Sequence, residues 1–491
     1  MPPALPQVVE DVLPERRAAR QWLGLALGVL ILAGLFAVAV VIGRMPPFDR
    51  FVTDPLFFKR CLVAHVNLAL IAWFYSFIAA LLFLLPSRRR SGWIAYHSVH
   101  VATTSVLLIL IGASMPGSRP LLSNYIPTID HPLFRLGQVV FGAGVLASLL
   151  DGRLLLAGKG APDFPDVPPD MPFDMPDAAR AGLRAAALAL VLAALTFVIT
   201  WFRQPEGMDR AIYFDLLVWG GGHVLQLVSA VAMVAVWLML LTPVLGFSPV
   251  SGRGATALFL ALVLPWSWAP ILALQGSWSP VYRVGFTGLM QWCLLPVVGI
   301  FLLLCVRATW KAWRARLIGV RTLADPRMSA FVVSAALTVL GFGLGAAIRG
   351  SNTMVPAHYH ASVGAVTVAF MAAAYLLLPV FRLAIPEGWM RRAAALQPAL
   401  YGSGMLIFAS GFGLAGAHGM GRKMYGAEQA SRGVAETIGL GLIGIGGFVA
   451  IAGGLLFLGI VAAAWGRGAR KARAVQSGLT RSTWRLPYEA K

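Results

Sequence analysis

Charge is scarce in this chain. Only 12% of its 491 residues are Asp, Glu, Lys or Arg, whereas 58% are hydrophobic. The mean hydropathy is +0.76. So few charges cannot coat a soluble domain of this size, so a polytopic protein surrounded by a lipid bilayer is expected. Acidic residues are scarcer than basic ones, 20 against 40, for a formal net charge of +20. That excess does not imply nucleic acid, because the basic residues sit in short segments between apolar runs. Cysteine is nearly absent: Cys61, Cys293 and Cys305 form no CxxC or CxxCH pattern. Thiolate zinc, iron–sulfur and covalent c-type haem sites are thereby excluded, and the three thiols read as packing. No repeat of fixed period is present, which weighs against an inverted-repeat transporter. The long first apolar run has no small-residue cleavage site, so no cleavable leader is expected.

What the chain has in abundance is long apolar stretches. Twelve are long enough to span a bilayer, at about 21–44, 62–86, 93–115, 131–157, 181–202, 212–241, 255–274, 287–306, 328–349, 355–382, 395–417 and 437–465. Alternate connections carry the positive charge: Arg16, Arg17 and Arg20; Arg88, Arg89 and Arg90; the Arg307–Arg327 segment; Arg382, Arg391 and Arg392; and the tail from Arg467. By the positive-inside rule these segments and both termini are cytoplasmic, as an even number of spans requires. The expected organisation is a cytoplasmic segment 1–20, a twelve-helix all-α membrane domain 21–465, and a basic cytoplasmic tail 466–491. The Pro- and Asp-rich stretch 161–176 reads as an extended linker.

Histidines are few and placed unevenly. The stretch from Met354 to Pro379 carries His358 and His360. At about 100° per residue, positions two apart leave a helix on opposite faces. Such a pair suits two separate acceptors, one on each side, and neutral imidazole is a good ligand for haem iron and copper. The plainer reading is two polar residues hydrogen-bonded between helices. Against it stand His65 near the outer start of the second span and His223 in the outer half of the sixth. Four histidines from three spans thus share one depth. His97 and His100 are either a metal pair or interfacial anchors, the second being favoured. His131, in DHPLF at an outer helix entrance, reads as a cap or an interface residue. The run Gly220-Gly221-Gly222 before His223 provides either close helix packing or room for a macrocycle.

These residues resemble subunit I of the haem–copper oxidase superfamily, which includes terminal oxidases and nitric oxide reductases. The tenth-span stretch AHYHASVG...YLLLP is most similar to cbb-type oxidases, and HVNLALIAWFYSF...LLP of the second span to nitric oxide reductases. The resemblance implies a twelve-helix bundle with two haems of b type in a prokaryotic inner membrane. His65 and His360 would ligate a low-spin haem, His358 a high-spin haem, and His223 a non-haem copper or iron beside it. The stretch GLAGAHGMGRKMYG is similar to the segment whose basic pair contacts haem propionates, which implies Arg422 and Lys423. The implied activity is reduction of O2, or alternatively of NO, with electrons from a subunit or c-type cytochrome on the outer face. A non-catalytic dihaem electron carrier or gas-binding protein is the competing class.

The chain also departs from that pattern. Residues 265–280, PWSWAPILALQGSWSP, lack the adjacent histidines that complete the second metal site, and Gln275 is the nearest polar substitute. Leu227 stands where the oxidases have a tyrosine, with Gln226 beside it. One histidine and an amide make a poor copper or iron site. His223 is therefore expected to serve mainly as a hydrogen-bonding group facing the high-spin haem. Asp215 is expected at the outer end of the sixth span, and no acidic residue suggests a proton path from the inner side.

Overall fold

The computed structural model describes residues 14–51, 54–85, 92–151, 175–422 and 433–483. Arg88, Arg89, Arg90, Lys423, most of the Pro- and Asp-rich linker and the end of the tail lie outside the described residues. Among the described residues the chain is an all-α bundle of twelve helices. They are α1 (Pro14–Ile42), α2 (Pro55–Phe83), α3 (Trp93–Ser114), α4 (Pro132–Ser148), α5 (Asp177–Phe202), α6 (Arg210–Leu245), α7 (Gly252–Leu274), α8 (Pro280–Arg314), α9 (Pro326–Ala346), α10 (Met354–Leu377), α11 (Trp389–Ala417) and α12 (Val434–Thr483). Eleven are long and apolar enough to cross a membrane, and α4, at 17 residues, is shorter. Each expected span corresponds to one helix.

Local chemistry sets the ends. Asp54, Asp209, Ser251, Ser279 and Asp325 each accept a backbone N–H at a helix start. His131 does the same for α4, accepting from Leu133 at 3.3 Å, with Pro132 in the first turn. Gly246, at φ +78°, ends α6 in the left-handed conformation. The α3–α4 connection carries a two-residue antiparallel ladder, Pro120–Leu121 against Thr128–Ile129.

The three histidine-bearing helices are the inner ones. Buried residues make up 78%, 83% and 78% of the apolar stretches of α2, α6 and α10, against 28% for α1 and 22% for α8. Side-chain bonds tie these three together. The Tyr75 hydroxyl on α2 donates to the Leu225 carbonyl of α6 at 2.8 Å. Trp237 on α6 donates to the Ser334 hydroxyl of α9 at 2.8 Å, and Ser334 donates to the Ala365 carbonyl of α10 at 2.7 Å. Two adjacent helices approach almost to backbone contact: a Cβ on Gly404 of α11 or Gly446 of α12 would run into the backbone of the other helix. Such small-residue seams let dispersion, rather than a hydrophobic effect, hold helices together in lipid.

Candidate functional site

His65, His223, His358 and His360 lie towards the end of the bundle where α2, α6 and α10 begin. In all four the imidazole is fixed in one tautomer, and in three of them Nε2 is left without a partner among the described residues. His65 Nδ1 lies 2.9 Å from the Ala33 carbonyl of α1, His358 Nδ1 2.6 Å from the Gly341 carbonyl of α9, and His360 Nδ1 2.7 Å from the Pro356 carbonyl. A carbonyl can only accept, so each Nδ1 carries the proton and each Nε2 presents a bare lone pair. None of these Nε2 atoms has a hydrogen-bond partner among the described residues. This is how metal-ligating histidines are normally held: the second nitrogen orients the ring and makes the first more basic.

His358 and His360 leave α10 in different directions, as their spacing requires. His358 packs into the α9 surface at Gly345, where a Cβ would lie 2.8 Å from its Nδ1. His360 stacks on Phe412 of α11 at 5.1 Å and 5°, with Phe408 edge-on at 4.8 Å. Arg44, just beyond α1, lies over both Phe412, at 5.4 Å, and Phe58 of α2, at 5.9 Å. Phe58 and His65 are seven residues apart, hence on one face of α2. The faces carrying His65 and His360 therefore converge.

A π-helical turn, Asn67–Ala72, follows His65 and Val66 directly. Such turns often mark functional positions. Asn67 uses it to reach the α3–α4 connection, donating to the Pro127 carbonyl at 2.7 Å and accepting from Gln138 at 2.8 Å, while Thr128 donates to Gln138 at 2.7 Å. Replacing Asn67 with Leu strands these buried groups, and a loss of about 1–3 kcal/mol is expected. A lowered unfolding midpoint in detergent, with α4 more open to proteolysis, is the measurement.

That connection also carries Tyr125, which no motif in the sequence marks out. The backbone there is left-handed, at φ +63°. It is held by the Asn124 N–H donating to Asp215 at 2.8 Å and by the ion pair of Arg210 with Asp130 at 2.6 Å. The Tyr125 hydroxyl lies 2.8 Å from His223 Nε2, and His223 Nδ1 lies 2.6 Å from the Trp219 carbonyl. Nδ1 must donate to that carbonyl, so Nε2 accepts from the phenol. Burial pushes the Tyr125 phenol up, the Asp215 carboxylate adds to this, and Arg422 opposes it. The phenol therefore stays protonated through the alkaline range.

Several expectations change here. Both nitrogens of His223 are taken by protein groups, so it presents no lone pair to a second metal. Gln275 is exposed where α7 ends and cannot help. No three of His, Cys, Asp and Glu converge anywhere among the described residues. The residues present do not fit a second metal. The glycine run makes room for aromatic rings: Tyr282 and Phe286 against Gly220, Phe197 against Gly221 and Tyr125 against Gly222, with built Cβ atoms 2.5–2.8 Å from them. His97 and His100 sit apart, in an aromatic cluster with Trp93 and Tyr96.

The residues present fit haem better. Beyond the three bare Nε2 atoms, two buried polar atoms near the start of α10 have no hydrogen-bond partner among the described residues: Arg422 Nε and Thr353 Oγ1. Their segments are joined, since the Thr353 N–H donates to the Met420 carbonyl at 2.9 Å and Asn352 bridges to Gly421. Two orphaned donors side by side suit a carboxylate.

A solved structure described as a heme-copper terminal oxidase dimer superposes with a TM-score of 0.69, covering 91% of this chain and 84% of that one. The fold is that of a haem–copper terminal oxidase. The sequences are only 15% identical, so the likeness is one of architecture. No protein-family model matches the chain. An "Uncharacterized protein" of Aquifex aeolicus (strain VF5) is 29% identical over 364 residues, 73% of this chain and 83% of that one. "Uncharacterized protein RP382" of Rickettsia prowazekii (strain Madrid E) is 23% identical over 502 residues, 90% and 94% of the two chains. Within this fold, His65, His223 and the pair His358 and His360 lie on helices two, six and ten in order.

Proposed function

We propose that this chain is a haem-binding redox subunit of a bacterial inner-membrane oxidoreductase, carrying electrons from the outer face to a haem that reduces O2. The observation that carries the reading is the set of three inner-helix imidazoles whose Nδ1 protons are fixed to carbonyls and whose Nε2 atoms are bare. His65 and His360 would hold a low-spin haem from its two sides, and His358 a second haem on the opposite face of α10. When bound, haem iron supplies one-electron redox chemistry and an open position for a diatomic gas. Arg422 and Thr353 would neutralise and orient haem carboxylates, with Lys423 assigned to the same role from the sequence alone. Tyr125 and His223 hold a proton between phenol and imidazole without need of a metal. Both termini would be cytoplasmic, with a donor subunit or c-type cytochrome docking outside.

A second reading, a dihaem electron carrier or gas-binding protein without turnover, is favoured by one observation: both nitrogens of His223 are satisfied within the chain. The purified chain with its reduced donor is expected to consume O2, and NO is the alternative substrate. Haem present with neither gas consumed would establish the carrier instead.

A further inference from the structure

We propose that the groove between α1 and α3 binds an isoprenoid quinone. The groove has a volume of about 570 Å³. It opens towards the lipid, for α1 and α3 are buried over only 28% and 39% of their apolar stretches. Its polar groups stand at one end. Gln21 and His100 are each the eighth residue of their helices, and Thr103 follows one turn on; the rest of the lining is glycine and aliphatic side chains. Gln21 Oε1 is buried and has no hydrogen-bond partner among the described residues. The His100 imidazole is exposed beside His97, with ring centroids 5.6 Å apart. The Thr103 hydroxyl donates to the Val99 carbonyl at 2.8 Å, which leaves its oxygen able to accept. Over Gly24 and Gly28 there is open space, since a Cβ on either would meet nothing within 4 Å. A buried amide oxygen and an imidazole beside hydrocarbon cost free energy until a polar ligand satisfies them.

Three features select that ligand. The first is length. From Gln21 to Leu32 the groove follows α1 for eleven residues, about 16 Å at 1.5 Å per residue. That is half of the ~30 Å hydrocarbon core, too short for a partner's spanning helix and right for an amphiphile whose tail ends near mid-bilayer. The second is charge. No Asp, Glu, Lys or Arg lines the groove, and Arg20, next to Gln21, turns to the Trp465 ring at 5.2 Å. A phospholipid head would bring its phosphate to a place without a lining cation. The third is that the polar groups come from two helices, an amide from α1 and an imidazole from α3. Each both donates and accepts. Together they can bond a ring with an oxygen on each side, whether that oxygen is a carbonyl or a hydroxyl. A flat 1,4-quinone on an isoprenoid tail has this chemistry in both its oxidised and reduced forms. Quinone binding there does not depend on which residues ligate haem, because Gln21 lies twelve residues, or ~18 Å, along α1 from Ala33, whose carbonyl holds His65.

The test is equilibrium binding of a tritiated benzoquinone with a ten-carbon tail to the purified full-length chain in detergent. One saturable site per chain is expected. His100→Leu and Gln21→Leu each remove a hydrogen bond and should weaken binding about tenfold. Gly28→Leu fills the groove and should abolish the saturable component. All three variants should keep the wild-type elution volume and helical circular dichroism, because the changed side chains face the groove. Should any of them fail to fold, competition on the wild-type chain decides. A dialkylglycerol of equal tail length should displace the label poorly. Displacement as good as that by unlabelled quinone would mean that the head is not recognised, and would overturn the proposal. Displacement by phosphatidylglycerol at equal concentration would overturn it in favour of a phospholipid. Absence of a saturable site, or binding unmoved in all three folded variants, would overturn it as well.

Discussion

Alanine at His65 or at His360 is expected to abolish the reduced-minus-oxidised spectrum of a six-coordinate haem. Each imidazole has a bare Nε2 and a Nδ1 proton held by a carbonyl, at 2.9 Å for His65 and 2.7 Å for His360. Losing either leaves iron with one axial protein ligand, so any haem that remains becomes five-coordinate and binds CO. The two mutants should therefore look alike, although their residues come from α2 and α10. His358→Ala is expected to behave differently. It should remove the CO-binding haem and leave the six-coordinate band intact, because His358 packs against α9 on the far side of α10. His97→Ala is the control and should change neither, since His97 belongs to a separate aromatic cluster. If both His65→Ala and His360→Ala keep the wild-type spectrum, the bis-histidine site is refuted.

The bundle was legible in the sequence because lipid imposes a simple rule: a span must be apolar and long. The shared level of His65, His358 and His360 was legible too, since each lies near the start of an even-numbered helix and alternate helices run in the same direction. The i, i+2 divergence of His358 and His360 follows from helical geometry alone, and the side chains do go to α9 and α11. Boundaries were less secure. The start of α8 was placed near 287, but Ser279 and Pro280 begin it, because the capping signal lies within a stretch containing Arg283 that lowers its hydropathy.

Contacts between distant segments were not legible. Gly220, Gly221 and Gly222 announce that something bulky approaches α6, but not what it is. Four aromatic rings from three other segments fill that space. Tyr125 comes from a connection ninety-eight positions away and owes its location to Asp215, Arg210 and Asn67. Arg44 reads as one more basic residue at a span end until Phe58 and Phe412 close over it. Gln275 illustrates the reverse error: polarity near the right helix suggested a ligand, whereas the residue lies exposed at the end of α7.

His223→Ala is expected to lower turnover about 10²-fold while leaving both haems and the metal content unchanged. The sequence suggested that His223 would donate a hydrogen bond to bound gas. The structure reverses its role, because Nδ1–H is committed to the Trp219 carbonyl and Nε2 accepts from Tyr125. The transferable proton thus belongs to the phenol, which burial keeps protonated. Tyr125→Phe should then cost about as much as His223→Ala, and the double variant little more than either, because the two act as a unit. Both single variants should shift the stretching frequency of CO on the ferrous high-spin haem. Wild-type activity should show no loss near pH 10 from phenol ionisation, since the Tyr125 pKa lies above the ordinary tyrosine value. Stoichiometric copper or iron in the wild type that disappears in His223→Ala would refute this account, and a second-metal centre with His223 as its ligand would take its place.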